Sequence, residues 1–238
     1  MFSIHGAEQI KLFTKLLAPF SNFQVVNVNL KTNFVQFEQI DSGRNSMVQL
    51  QINSTFFYDW HIEANVQVGI PIKSLLRILN VANGAAFIKF TFEQKDVHIC
   101  ILKDYTTLDY TILIRSYESN SIDFQTDKPP IRINGALFFG ALKKLQNINT
   151  ILSMKVKSSK LTLKSQDYGV VGNIHMCNIE HMYDIPQVEF KLASFPVQNF
   201  YELVQEENVV CEIHDYEPLN FLIKNSMFML NFLIAPLL

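Results

Sequence analysis

The chain comprises 238 residues, 48% of them hydrophobic and 18% charged, with a formal net charge of −2. This composition excludes the disordered and fibrous classes, and the length suffices to bury one large core or two modest ones without disulfide staples. A net charge so near zero gives the whole molecule no electrostatic preference for a polyanion, so the placement of charge carries the information.

The first helical pattern runs from Glu8 to Pro19, with Ile10, Phe13, Leu17 and Phe20 on one face and Lys11 and Lys15 one turn apart on the other. Period-two alternation in Val26-Asn27-Val28-Asn29-Leu30 and Met47-Val48-Gln49-Leu50-Gln51-Ile52 predicts half-buried strands. A second helix opens at Pro71, a residue suited to the first helical turn, and sets Ile72, Leu75, Leu76 and Leu79 inward against Lys73, Arg77 and Asn80 outward. Phe87-Ile88-Lys89-Phe90-Thr91-Phe92 is again a strand pattern. The stretch from Ser116 to Pro130 is polar and ends in a prolyl pair, which favours an extended linker. Beyond it, Asn134 suits the N-cap of a third helix that buries Phe138, Leu142 and Leu145 and turns Gly140, Lys143 and Asn147 away. After the strand pattern Leu152-Ser153-Met154-Lys155-Val156-Lys157, a fourth helix from Pro196 to Glu207 sets Phe200, Tyr201 and Val204 inward and Gln198, Glu202 and Gln205 outward.

The four helical starts, Glu8, Pro71, Asn134 and Pro196, lie 63, 63 and 62 residues apart. One helix followed by strands, four times over, predicts an α+β chain of two similar domains, each made of two βαβββ units. The expected boundaries are 1–116 and 131–238, joined by a linker over 117–130. Apolar runs are broken well before the roughly 18 residues that a membrane helix needs, so no membrane role is expected. Glu8, Lys11 and Lys15 interrupt the apolar positions that a secretory leader would require, so none is expected. Cys100, Cys177 and Cys211 are odd in number and far apart, which suits free thiols in a reducing compartment.

Charge is segregated along the second half. Eight basic residues and no acidic one lie between Lys128 and Lys164, whereas nine acidic residues from Glu180 onward face only Lys191 and Lys224. Candidate chemistry is thin. His175, Cys177 and His181 fall short of the four ligands of a structural zinc site. Gly169-Val170-Val171-Gly172 lacks the Lys-Ser/Thr of a phosphate loop, and Asp41-Ser42-Gly43-Arg44 reads as a turn. No nucleophile carries a signature, so no catalytic residue, metal or cofactor is expected.

Six stretches occur in a telling order: Gln39-Ile40-Asp41-Ser42-Gly43-Arg44-Asn45-Ser46-Met47-Val48-Gln49-Leu50, then Gly69-Ile70-Pro71-Ile72-Lys73-Ser74-Leu75-Leu76-Arg77-Ile78-Leu79, then Leu108-Asp109-Tyr110, then Tyr168-Gly169-Val170-Val171-Gly172-Asn173-Ile174, then Pro218-Leu219, and last Leu233-Ile234-Ala235-Pro236. In that order, and along essentially the whole chain, they resemble the PCNA-type (proliferating cell nuclear antigen) DNA sliding clamps. The resemblance implies the clamp fold, with helices packed on antiparallel sheets, and a homotrimeric ring that encloses double-stranded DNA without reading its sequence and acts as a polymerase processivity factor in replication and repair. It further implies DNA polymerase and other clients as partners, a clamp loader, and a nuclear location or another intracellular site of DNA replication.

By the same resemblance, Lys11, Lys15, Lys73, Arg77, Lys143 and Lys144 would face DNA, and cations on rigid helices suit a surface that follows phosphates. Ile40, Ile122, Phe124, Pro218, Ala235 and Pro236 match the positions of a hydrophobic client pocket. Ile122 and Phe124 fall on one side of an extended linker, where they would serve a partner, the linker's own packing, or both. Asp109, Tyr110 and Arg115 on one strand and Tyr168, Gly172 and Ile174 on another match the strands that join subunits. Two departures stand out. The fourth helix shows Glu202, Glu206 and Glu207 and no basic residue, and Leu237-Leu238 replaces the charged tail common in the family. The acidic helix keeps open a second reading, a clamp-fold relative such as a checkpoint-ring subunit or a virus-encoded clamp-like replication or transcription factor.

Overall fold

The structure is a computed structural model that describes residues 1–41, 43, 46–117, 130–177, 179, 184–192, 197–207, 210–214 and 219–235. Two compact units emerge, Met1–Gln39 with Gln49–Ser121 and Ser226–Met229, and Ile40–Val48 with Ile122–Asn225 and Leu230–Leu238.

In chain order the first half contributes β1 (Phe2–His5), α1 (Ala7–Leu17), β2 (Val25–Leu30), β3 (Phe34–Ile40), β4 (Ser46–Asn53), a two-residue β5 (Asp59–Trp60), β6 (Val66–Pro71), α2 (Ile72–Val81), β7 (Phe87–Phe92), β8 (Asp96–Lys103) and β9 (Thr106–Leu113). The second half contributes β10 (Ile131–Asn134), α3 (Gly135–Gln146), β11 (Ile151–Lys157), β12 (Lys160–Asp167), β13 (Val170–Cys177), β14 (Ile185–Lys191), α4 (Val197–Glu207), β15 (Val210–His214), β16 (Leu219–Lys224) and β17 (Phe228–Ile234). With β5 set aside, the order is strand, helix and three strands, four times over, as the sequence repeat predicts.

Sheet order shows why two repeats make one unit. In the first unit β1 pairs with β7 in the order β5-β1-β7-β8-β9, while β6 pairs with β2 ahead of β3. Each repeat therefore lends its first strand to the three-strand meander of the other. The same exchange recurs in the second unit, where β14 pairs with β11 in the order β13-β12-β11-β14 and β10 pairs with β15 ahead of β16. Neither meander is complete without its partner, so the folding unit is the pair.

Two-residue hairpin turns link β8 to β9, β11 to β12 and β12 to β13 and demand positive φ, which Asp104 and Tyr105, Ser158 and Ser159, and Tyr168 and Gly169 supply. The helices stop and start for local reasons. Asn134 accepts a 3.0 Å hydrogen bond from the Leu137 amide and caps α3 as expected. The first helix ends at Leu17, two residues before the expected Pro19, and continues as a 3-10 turn over Ala18–Phe20. Proline has no amide to donate and crowds the preceding turn. On α2 the buried residues are Ile72, Leu75, Ile78 and Leu79. Leu76 is only half-buried, so the inward stripe runs through Ile78 instead.

The cores are aromatic. In the first unit the Phe2 ring centroid lies 4.7 Å from those of Phe57 and Phe90 and 6.5 Å from Phe13. In the second, Phe138, Phe139, Phe200, Phe221 and Phe232 form a connected chain of rings. Truncating one such ring to alanine costs on the order of 3–5 kcal/mol. One strand departs from expectation. Along β2, Asn27 and Asn29 are buried together with Val26, Val28 and Leu30, so both faces of the strand are covered and its polar side chains lie inside. No helix among the described residues is long and apolar enough to cross a membrane.

Candidate functional site

Three features were expected to matter: the polar faces of the helices, the outer strands of the sheets, and an apolar pocket. On the helices the cations stand in different circumstances. Within the first unit α1 and α2 pack together. Lys11 is exposed with its ammonium 4.0 Å from Glu8, and Lys15 is half-buried. Lys73 and Arg77 are exposed one turn apart on α2. A lysine on β8 does work that the sequence did not reveal: Lys103 Nζ donates to the Val81 and Asn83 carbonyls at 3.2 and 2.6 Å and so satisfies the C-terminal end of α2.

Within the second unit α3 and α4 pack together through Gly140 and Tyr201. A Cβ on Gly140 would meet the Tyr201 ring at 3.2 Å, so the glycine admits the ring. Tyr201 is consequently half-buried and lies across α3. Lys143 Nζ then sits 5.1 Å from the Tyr201 centroid, a cation–π contact that holds this lysine half-buried, while its neighbour Lys144 is exposed. On α4, Glu202 is exposed and accepts a hydrogen bond from Gln198 Nε2. The side chains of Glu206 and Glu207 lie outside the described residues.

Each unit has a meander strand at a sheet edge, β9 in one and β13 in the other. On β9, Asp109 is exposed and Tyr110 half-buried, and Leu113 is an exposed large hydrophobic side chain. Asp109 lies opposite Cys100, whose thiol is pushed up by burial and by its hydrogen bond to the Asp109 carboxylate. Arg115 falls beyond the end of β9. Its backbone exchanges hydrogen bonds of 3.1 and 2.8 Å with Gly69, leaving its amide engaged within the unit. A Cβ on Gly69 would come within 2.7 Å of the Ser116 carbonyl oxygen, so this close approach requires glycine.

On β13, Gly172 and Ile174 are half-buried and Val170 and Val171 exposed, whereas Tyr168 belongs to the preceding turn and is fully exposed. A Cβ on Gly172 would meet Ile148 Cδ1 at 2.4 Å and Leu145 Cδ2 at 2.9 Å, so glycine lets α3 seat closely on this strand. Alongside lies a groove of about 1060 Å³ whose lining includes Arg132, Lys143, Lys144, Ile174, His175 and Tyr201. Arg132 and Tyr201 were not singled out there by the sequence, because they approach from β10 and α4. His175 Nδ1 lies 3.1 Å from Thr162 Oγ1, and Cys177 is exposed; His181 lies outside the described residues.

Arg132 is also anchored. It donates through Nε at 3.2 Å to Glu212, whose other oxygen accepts from Lys224 at 2.7 Å. Burial pushes the Glu212 carboxyl up, but the Lys224 and Arg132 cations outweigh it and hold the group below the ordinary carboxylate range.

Of the six expected pocket residues, Ile40 ends β3 and Ala235 follows β17, both half-buried. Ile122, Phe124, Pro218 and Pro236 lie outside the described residues. The neighbouring Asp41 closes a turn as expected: its amide donates to the Ser46 carbonyl and its carboxylate accepts from the Ser46 amide, both at 2.9 Å.

Comparison with known proteins agrees with this architecture. The crystal structure of PCNA from Thermococcus kodakaraensis matches with a TM-score of 0.78 over 99% of both chains at 14% identity, a likeness of fold. A protein of Paramecium bursaria Chlorella virus 1, described as probable DNA polymerase sliding clamp 2, is 27% identical over 135 residues. That segment is 55% of this chain and 46% of the viral protein, so the match spans about half the length of that relative. Residues 3–128, more than half of the chain, match the family model described as the N-terminal domain of proliferating cell nuclear antigen. The chain belongs to the proliferating cell nuclear antigen family of sliding clamps.

Proposed function

We propose that this chain is a DNA sliding clamp, a processivity factor with no chemistry of its own. Copies join into a closed homotrimeric ring around duplex DNA, and the ring holds a polymerase on its template by topology. The observation that carries this reading is the family match over residues 3–128. Two features of the chain suit it. Each unit offers an edge strand, β9 with Asp109 and Tyr110 and β13 with Gly172 and Ile174, and such edges need a partner or protection. Pairing β9 of one copy with β13 of the next is a head-to-tail contact, which closes into a ring when the rotation between copies allows. Residues 1–116 and 131–238 are the two clamp domains and 117–130 the connector.

Lys11, Lys15, Lys73, Arg77, Lys143 and Lys144 face the DNA in this reading. They hold phosphates through charge alone, which leaves the ring free to slide. The apolar side chains Ile40, Ile122, Phe124, Pro218, Ala235 and Pro236 receive client motifs, and a loader opens the ring at the site of DNA replication, in the nucleus or elsewhere.

Light scattering and a loading assay test the proposal together. The expected mass is three times 27.4 kDa. Protein loaded on nicked circular DNA is expected to stay bound and to leave when the circle is cut. Replacing Lys73, Arg77, Lys143 and Lys144 by alanine should reduce retention and flatten its salt dependence while the mass stays the same. A monomeric mass, or equal retention on circular and linear DNA, refutes the reading.

A further inference from the structure

The edge strands β9 and β13 each follow a two-residue hairpin turn, closed by Lys103 and Thr106 in one unit and by Asp167 and Val170 in the other. The pair that closes such a turn exchanges hydrogen bonds, and along an antiparallel strand the direction of the backbone groups alternates with each residue. Thr107, Asp109, Thr111 and Leu113 therefore turn their amides and carbonyls to the open side of β9, and Val171, Asn173, His175 and Cys177 do the same on β13. These residues also share one sheet face, on which the Cys100 thiol meets Asp109 and Thr162 meets His175. The other face holds the buried Ile112 and, at Gly172, the seat of α3. An antiparallel joint between β9 of one copy and β13 of the next satisfies both alternations, so that open backbone groups meet and the outer faces run on as one. The same alternations fit β9 to β9 and β13 to β13, and backbone geometry alone leaves the partner open.

Charge does not leave it open. On the outer face of its last two strands the first unit presents Asp96 and Asp109, with Asp104 in the turn that joins the strands. Lys103 goes to the opposite face, where it meets the end of α2. Glu93 and Lys95 offset each other in the turn before β8, and Lys89 stands a strand further in, on β7. The corresponding face of the second unit is basic. Lys160 and Lys164 lie on β12 opposite Cys177 and Asn173, Lys155 and Lys157 follow on β11, and the edge itself adds His175. Asp167 falls on the helix side by alternation, the Ser158 amide donates to Asp184 at 3.0 Å, and Glu189 is offset by Lys191 on β14. On the helix side, the groove beside β13 is lined by Arg132, Lys143 and Lys144 and, among the described residues, by no carboxylate.

A two-fold joint of β9 with β9 sets Asp96, Asp104 and Asp109 near their own copies. A joint of β13 with β13 does the same with Lys160, Lys164 and the groove cations. Of the three joints, β9 against β13 alone brings opposite charges together. Neighbouring strands lie about 4.7–4.9 Å apart, which puts Asp109 roughly 10 Å from the backbone of the lysines on β12 of the next copy, a gap that a lysine side chain largely spans. We propose that this charge pattern selects the head-to-tail joint that a ring requires over a closed two-fold dimer, with Asp109 on one edge and Lys160 and Lys164 behind the other as the residues that set the choice. The partner is a second copy of this chain, and the inference rests on the clamp reading given above.

The test follows mass by light scattering, and dissociation on dilution, for the full chain in about 0.1 and 1 M NaCl, between which the screening length falls from about 10 to about 3 Å. The trimer is expected to dissociate about tenfold more readily at the higher salt. Asp109→Lys, and separately Lys160→Glu with Lys164→Glu, should each weaken assembly by about tenfold at the lower salt, and the three substitutions combined should return it to within about threefold of wild type. Damage to the fold gives no such recovery. Asp109→Asn and Lys164→Gln, which keep the side-chain shape, replace the reversals should those melt early, and each should weaken assembly by about two- to fivefold. A wild-type chain that is monomeric or a two-fold dimer at the lower salt sinks the clamp reading and this inference with it. A wild-type trimer that is indifferent to salt and to the substitutions, or a combined variant that assembles no better than its parents, overturns the charge assignment and leaves the clamp reading standing.

Discussion

Glu212 offers a direct check on the electrostatics of the second unit. It lies on β15 opposite Arg132 of β10, and its side chain is 5% exposed, whereas those of Arg132 and Lys224 are 57% and 50% exposed. Glu212→Gln preserves shape and leaves an acceptor for one cation, but it sets an amide N–H₂ against the other. A hydrogen bond to a charged group contributes about 1.5–3 kcal/mol. Because both cations can re-enter water when released, the expected loss lies toward the lower part of that range, about 2 kcal/mol. Urea unfolding of the two proteins at pH 7 measures it.

Acidity sharpens the test. The folded-state carboxyl is held below its unfolded value, so its stabilisation is fully present above the unfolded pKa, about 4.3, and is lost as pH falls through the folded value. The gap between wild type and Glu212→Gln should therefore be steady from pH 8 to 6 and shrink below about pH 4, as protonation turns the glutamate into a near copy of the glutamine. A gap that persists unchanged at pH 3, or a gap under about 0.5 kcal/mol at pH 7, would refute the balance in which the two cations outweigh burial.

Tyr117 donates at 3.0 Å to the buried Glu38, and burial followed by that contact pushes its phenol up to about 12. Tyr117→Phe should lower stability by about 1–2 kcal/mol near pH 8; because the raised folded value makes this stabilisation fade as pH rises from about 10 to 12, the gap should close over that interval in alkaline denaturation. Leu113 and Val171 are exposed on the two edge strands, so Leu113→Glu with Val171→Glu should leave the protomer's melting behaviour intact and reduce the light-scattering mass to 27.4 kDa. A trimeric mass in the double variant would place the subunit contact elsewhere.

How far the fold was legible depended on the distance over which each signal acts. Phe138, Leu142 and Leu145 recur at helical spacing, and Asn134 caps three residues ahead, so α3 could be read from a dozen residues. The same locality exposed Lys73 and Arg77. Period-two reading of β2 assumed one wet face, an assumption that Asn27 and Asn29 reinforced; their burial depends on what covers the strand, which its own sequence does not contain. Lys143 looked like a free surface cation because Tyr201, the ring beneath it, arrives 58 positions later on another helix. Between the two units the meander positions correspond while their occupants change places: His98 on β8 faces Thr111 on the edge strand β9, whereas Thr162 on β12 faces His175 on the edge strand β13, so the repeats share the pairing position and not the residue types that fill it.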